Sequence, residues 1–486
     1  MQNHSLWLDE TYLAANILER GFGELHRPLE FSQSAPWLFL MASKGAVAVF
    51  GPSEMVLRLI PLLASVASLW IFWRLARECL EGWLVPIALG IFAFAFRQVY
   101  YAQELKQYSL EVLLTTLVVW QAALMFKSAK YPNRYFTSLA VTGSVGIFAM
   151  HAMPFVLAGV GLIALYARWI GKLNLPYGRL AFAISIWLAL FAVNYFVIIR
   201  PNYASEVMKS FWAFAYPGMP WTASGLRSWA VLTNDYLWYL GYRGVLKALM
   251  ALLLVGGFWR IILTRNLTLL SCAVTVALYW LAAMAGKAPF SGRLILFLFP
   301  FLPLFLGQGL ALILRGRHWA LCVLGAGIAL GTTGKALPTE LRPMEVENLR
   351  DAVVQLSHLR KSTEPIYVIF WAWPAFKYYR QALNLSNLYD PVIVLNEPQQ
   401  KLVYPGKKGS PHSVVSEFPH MIHELSGLQN YEAFWMLVAH MPQREEELLG
   451  EIHDALGLVP DVSYRTNGSG LYHFETGRHL PPATAE

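Results

Sequence analysis

Charge is scarce in this sequence. Only 14% of its residues are Asp, Glu, Lys or Arg, and 56% are hydrophobic. Soluble domains carry about a quarter charged residues, so an ordinary globular protein is excluded. Cysteine is nearly absent as well. Cys79, Cys272 and Cys322 sit in or beside apolar runs without CxxC spacing, which excludes a disulfide framework and a zinc site. No GxxxxGK[ST] loop, no GxGxxG after a strand and no HExxH is present, so nucleotide-driven pumping and zinc proteolysis lack support. The opening lacks a basic stretch followed by an apolar core, hence a signal peptide. Internal repeats and low-complexity segments are also missing.

What fills the chain instead is a series of long apolar runs: Val56–Trp73, Trp83–Phe96, Tyr108–Phe126, Tyr135–Met150, Pro154–Ala167, Leu180–Ile199, Val245–Phe258, Leu267–Ala285, Leu294–Leu314 and Trp319–Gly334. Judged by length and flanking charges they read as transmembrane spans, Trp83–Phe96 being a short one. The net charge of +8 is therefore not a nucleic-acid signal. The short loops 74–82, 127–134, 168–179, 259–266 and 315–318 are basic and read as cytoplasmic. Loops 97–107, 151–153, 200–244 and 286–293 then lie outside, with both termini. An outside N-terminus without a translocation signal predicts a further transmembrane helix preceding this sequence. The expected fold is a polytopic α-helical membrane protein, with about ten transmembrane helices here and one more upstream, followed by a C-terminal soluble α/β domain.

Three segments qualify that scheme. Residues 11–30 read as an amphipathic surface helix and a loop. Pro36–Phe50 is apolar but short and carries Lys44, which favours an interfacial or re-entrant helix. The loop 200–244 carries Trp212, Trp221, Trp229 and Trp238, side chains that favour the headgroup level, and predicts a helix on the outer surface. After about residue 338 the pattern changes. Strands are expected at 366–370, 392–395 and 434–438, helices at 345–360, 375–382 and 444–456, and a hairpin at 462–464 and 470–474. The expected division is 1–54 as an outer loop with interfacial helices, 55–337 as the membrane core and 338–486 as an extracytoplasmic domain. Asn467-Gly-Ser469 matches a glycosylation sequon, a pattern that turns often carry by chance.

Polar residues gather on the outer side. Asp9 and Glu10 follow Trp7 near the start of the chain. Glu104, Lys106 and Tyr108 lie between two spans, in Tyr101-Ala102-Gln103-Glu104-Leu105-Lys106-Gln107-Tyr108. His151, Lys287 and Arg293 stand at the outer ends of others. Acids, bases and aromatics on one membrane face suit a substrate with an anionic headgroup and a polar part. Plainer readings stand beside this one. Asp9 and Glu10 form a solvated helix start, with Asp9 as the N-cap. Lys106 and Arg293 snorkel to lipid phosphates, or Lys106 pairs locally with Glu104. His151 is a satisfied helix-end histidine.

Several stretches resemble the C-type superfamily of membrane glycosyltransferases, especially the branch of protein O-mannosyltransferases and lipid A aminoarabinose transferases. Leu6-Trp7-Leu8-Asp9-Glu10 is similar to the family's acidic motif in the first outer loop. Ala35-Pro36-Trp37-Leu38 through Phe50-Gly51-Pro52-Ser53-Glu54 and Leu57-Arg58-Leu59-Ile60-Pro61 resemble the segment after it. Tyr101-Ala102-Gln103-Glu104 through Tyr108-Ser109-Leu110 resembles the next outer-loop motif, and Gly292-Arg293-Leu294 with Phe299-Pro300 and Pro303 a later span. The resemblance covers roughly residues 1–335. It implies an enzyme of the plasma membrane that takes a sugar from a polyprenyl-phosphate carrier. The acceptor is a hydroxyl of a lipid, glycan or protein, and no nucleotide takes part. In that scheme Asp9 is the general base and Glu10 orients the acceptor. Glu104, Lys106, Tyr108, His151 and Arg293 line the substrate site, with Lys106 and Arg293 on the phosphate. No cofactor is implied, although a divalent metal is compatible, and no nucleic acid is a partner. The family carries Glu-Lys-Pro or His-Pro-Pro where this chain has Ser34-Ala35-Pro36, so the phosphate or metal contact of those residues does not carry over. A transporter or flippase for lipid-linked sugars is the main rival. It would place ionisable groups near mid-membrane and show inverted repeats with broken helices. A ligase of whole oligosaccharides would share the topology.

Overall fold

A computed structural model describes residues 4–128, 130, 132–202, 212–239, 244–313, 347–389, 392–394, 418–441 and 444–477. The chain divides into two compact units, one holding Gly21–Ala46 and Arg58–Arg342, the other Met1–Arg20, Val47–Leu57 and Pro343–Glu486. The second unit therefore draws the first residues of the chain into the same body as its last part.

The second unit opens on helix α1 (Leu8–Glu19). The first unit is helical, and its elements follow the apolar runs. They are α2 (Trp37–Phe50), α3 (Leu59–Cys79), α4 (Leu84–Ala93), α5 (Phe96–Ala102), α6 (Tyr108–Lys127), α7 (Pro132–Ala149), α8 (Met153–Trp169), α9 (Tyr177–Asn194), α10 (Ala223–Tyr239), α11 (Gly244–Thr264), α12 (Leu267–Met284) and α13 (Phe301–Ile313). Among the described residues five helices are long and apolar enough to cross a membrane: α3, α6, α9 with its continuation to Asn202, α11 and α12. Two further spans form if each bent pair counts once: α4 with α5, bent by 51°, and the 3₁₀ turn Gly292–Leu298 with α13, bent by 60°. Of the roughly ten spans expected, five to seven meet this length and composition among the described residues. Pro300 and Pro303 withhold backbone donors where the last pair bends. The run Trp319–Gly334 lies outside the described residues.

Packing inside this unit rests on close helix crossings. A Cβ on Gly309 would lie 2.0 Å from the carbonyl oxygen of Leu253, and one on Gly257 would lie 2.1 Å from that of Phe305. Both glycines let α11 and α13 approach backbone to backbone, the device membrane helices use in place of a hydrophobic driving force. Phe72 stacks on Phe92 at 4.1 Å between ring centroids, joining α3 to α4. Gln308 donates to the carbonyl of Cys79 at 2.8 Å, so a polar side chain in α13 is satisfied by the end of α3. Cys79 and Cys272 are buried free thiols.

The other unit carries a five-stranded sheet with order β2-β1-β3-β5-β4, where β1 is Ile366–Val368, β2 Val392–Val394, β3 Ala433–Ala439, β4 Val462–Thr466 and β5 Ser469–Glu475. β1 pairs in parallel with β2 and β3, and β5 runs antiparallel to β3 and β4. Helices α14 (Leu349–Leu359), α15 (Trp373–Ala382), α16 (Phe418–Leu428) and α17 (Glu445–Leu456) complete it. All seven residues of β3 are buried, as expected for a central strand covered on both faces. Gly468 turns the β4–β5 hairpin at φ 71°, a conformation that costs glycine nothing. Helix α1 belongs to this unit and is buried along Tyr12, Leu13, Ala14, Ala15, Asn16 and Ile17, so the expected surface helix is a buried one.

Candidate active site

The candidate residues fall into two groups, one in each unit. The first begins at Trp7. Its extended backbone, φ −88° and ψ 169°, caps α1, so the N-cap is Trp7 and Asp9 stands inside the first turn. The expectation of Asp9 as cap is corrected by that backbone. Two acids in a first turn suit the positive end of the helix dipole. Successive residues point about 100° apart around a helix, and the two carboxylates part accordingly. Asp9 is half-buried, while Glu10 is fully buried and accepts the Trp7 N–H at 3.4 Å. A solvated pair is therefore not what forms.

Residues from the far end of the sequence hold this turn. The Leu8 N–H donates to Glu347 Oε2 at 2.9 Å, and Glu347 Oε1 lies 2.5 Å from His440 Nδ1. The Leu6 N–H donates to the Tyr379 hydroxyl at 2.7 Å, and Ser5 Oγ shares a hydrogen bond with that hydroxyl at 3.0 Å. Glu54 and Arg350 pair at 3.0 Å with both side chains largely buried. Burial lowers the pKa of His440, but the hydrogen bond to Glu347, the charge of Glu347 and the charge of Asp9 outweigh it, and the net pKa is raised. Glu347 and His440 escaped the sequence reading because neither lies in a motif. Lone charged residues hundreds of positions from the acidic pair give no signal until the chain folds. His4 and Glu10 put one ligand atom each within 4.8 Å, and no metal is assigned to them.

The second group lies in the helical unit. The turn between α5 and α6 buries Glu104 and Lys106, and Tyr108 opens α6. Lys106 Nζ donates to Gln33 Oε1 at 3.2 Å. The Arg293 guanidinium lies 6.0 Å from the Tyr108 ring centroid and 5.5 Å from that of Trp212. A guanidinium over aromatic faces is held by their negative π-faces. Lys106, only 6% exposed, is no snorkelling surface lysine. His151 stands at the turn between α7 and α8, and neither ring nitrogen has a hydrogen-bond partner, so the satisfied helix-end reading is set aside. It forms no hydrogen bond or ion pair with Lys106 or Arg293. Two residues in this unit were missed. Arg58 is 1% exposed just before α3, and Glu111 is 5% exposed one turn after Tyr108. Arg58 was legible only as part of a longer segment. Glu111 was hidden by its place inside an apolar run.

Comparisons with known proteins add to this geometry. No sequence family matches the chain, and no curated protein does. Solved structures do. The archaeal oligosaccharyltransferase AglB from Archaeoglobus fulgidus, in complex with an inhibitory peptide and a dolichol-phosphate, aligns with a TM-score of 0.52 at 12% identity, over 97% of this chain and 70% of that one. The chain shares the fold of that oligosaccharyltransferase. ArnT from Cupriavidus metallidurans in the apo state aligns with a TM-score of 0.41 at 12% identity, over 97% of this chain and 94% of that one. The same protein bound to undecaprenyl phosphate gives 0.40 at 12% identity over the same shares. The expected relation of fold is thus found, across a distance at which little sequence is shared.

Proposed function

We propose that this protein is an integral membrane glycosyltransferase that moves a sugar from a polyprenyl-phosphate carrier to an acceptor hydroxyl. The reaction takes place at the outer face of the plasma membrane, where the domain from about residue 338 also lies. The observation that carries the reading is the acidic turn at Asp9 and Glu10, built into a chain with this fold. AglB was solved with a dolichol-phosphate and ArnT with undecaprenyl phosphate, and both names point to carriers of one chemical class. Asp9 is the general base that takes the acceptor proton, and Glu10 orients the acceptor. Lys106 and Arg293 stabilise charge on the departing phosphate, with Glu104, Tyr108 and His151 on the polar part of the donor. A carboxylate that takes the acceptor proton and cations for the leaving phosphate are the groups such a displacement needs. Direct displacement with one base inverts the anomeric centre, and a hexose is the sugar proposed. The acceptor is a lipid, glycan or protein, and no cofactor is invoked.

The test is incubation of the purified protein with radiolabelled polyprenyl-phosphate sugars and candidate acceptors. Label that leaves the carrier for an acceptor supports the reading. Label that crosses a vesicle bilayer while still on its carrier replaces it with transport. Lys106→Ala and Arg293→Ala should each weaken donor binding roughly tenfold or more, since a charge-assisted contact is worth about 1.5–3 kcal/mol. Parent-like binding by both variants would remove the two cations from the donor site.

A further inference from the structure

Helix α1 begins without the usual provision for its first turn. The leading N–H groups of a helix have no partner within it, and the capping side chain normally accepts one. Here the cap is Trp7, whose indole offers no acceptor. Glu10 reaches back to the Trp7 N–H at 3.4 Å, a long bond. The Leu8 N–H is taken instead by Glu347 at 2.9 Å, from a residue 339 positions away. Glu347 is 5% exposed, so its charge requires a second partner. That partner is His440 Nδ1 at 2.5 Å.

His440 in turn is held by the sheet. It follows the last residue of β3 and adopts φ 61°, a left-handed backbone that side chains with a Cβ seldom take. Its N–H donates to the carbonyl of Gly468 at 3.0 Å, at the tip of the β4–β5 hairpin. Residues kept in such conformations concentrate at functional sites. The charges that act on His440 are those of Glu347 and Asp9. The nearby chain cation Arg350 is engaged by Glu54 at 3.0 Å and faces Asp351 at 3.9 Å. Upstream, the Tyr379 hydroxyl holds Ser5 and Leu6. The peptide that leads into Asp9 is thus gripped on both sides by the sheet-bearing part of its own unit.

We propose that Glu347 and His440 are positioning residues for Asp9: the Glu347 carboxylate clamps the backbone at Leu8, and His440 fixes Glu347. The inference rests on the glycosyltransferase reading only for what Asp9 does once it is placed.

The experiment uses the full-length protein in detergent, with Glu347→Ala, His440→Ala and His440→Asn. Two readouts are taken: steady-state sugar transfer across pH, and hydrogen exchange of residues 5–10. Asparagine puts a donor where Nδ1 stands and tolerates the left-handed backbone. Glu347→Ala should lower kcat roughly 10- to 100-fold, the cost of a misplaced reacting group, with donor KM within about twofold. Exchange at Leu8 should accelerate. His440→Ala should behave likewise, and His440→Asn should recover most of the rate. Unchanged kcat in Glu347→Ala overturns the proposal, and so does a loss confined to the amount of folded protein. If the parent transfers no sugar, the glycosyltransferase reading falls. Exchange then still decides the clamp: unaltered protection at Leu8 in Glu347→Ala overturns it, and faster exchange upholds it.

Discussion

Asp9 and Glu10 are neighbours in sequence with different surroundings, and their predicted roles divide the same way. Asp9→Asn keeps the shape and hydrogen bonding of the side chain but cannot accept a proton. Loss of a general base costs typically about 10²–10⁴ in rate, so single-turnover transfer should nearly vanish while donor binding stays intact. A fully active Asp9→Asn protein would remove Asp9 as base. Glu10→Gln should cost less in the same assay if Glu10 only orients groups. A second residue-scale prediction follows from His440. Its pKa is raised in the folded protein, so the stability it adds is present in full below the ordinary histidine value, near 6.5. That stability is lost as pH rises through the folded pKa. The difference in Tm between the parent and His440→Asn should therefore be largest near pH 6 and shrink toward pH 9. A gap that widens with pH would mean that His440 is held neutral.

At the scale of elements, the helical unit depends on crossings that admit no side chain. A Cβ added to Gly257 or Gly309 would stand 2.1 or 2.0 Å from a carbonyl oxygen of the opposing helix, far inside van der Waals contact. Gly309→Val should push α11 and α13 apart. Overpacking of this kind costs typically about 1–3 kcal/mol, so thermal denaturation in detergent should show a clearly lowered Tm. A Tm equal to that of the parent would deny the crossing. The bent pairs are the other feature of this scale. Where α4 meets α5 and where the Gly292–Leu298 turn meets α13, the backbone breaks near the outer ends assigned from sequence, and Lys106 and Arg293 lie close to those breaks in the chain. Irregular backbone at membrane depth is tolerated where it is buried in protein or lines a polar cavity.

For the whole molecule, the sidedness of the sheet-bearing unit is the open prediction. Five basic loops on one side imply that Asp9 and the domain after residue 338 lie on the other. The Asp454 side chain is 83% exposed on α17, which makes Asp454→Cys a suitable reporter. A membrane-impermeant maleimide should label it in intact cells, on a background lacking the native cysteines. Labelling only after permeabilisation would reverse the orientation, and with it the face on which the chemistry is proposed.

Composition and period determined much of this protein. A run of apolar residues must bury or span, so α3, α6, α9, α11 and α12 stand where the runs predicted them. The strands at 366, 392 and 434 and the terminal hairpin follow from local alternation and turn chemistry, which need no distant partner. Asp9, Glu10, Lys106 and Arg293 were legible because acids and cations stand out in so apolar a chain. Tertiary structure decided the rest. Whether an apolar run continues straight or bends depends on neighbouring helices, so the bends of 51° and 60° were not legible in hydropathy. The burial of α1, the cap at Trp7 and the hold of Glu347 and His440 on Leu8 depend on contacts across more than three hundred residues. Such contacts leave no local trace, because a carboxylate and a histidine far apart in sequence become a single unit only when the fold brings them to hydrogen-bonding distance.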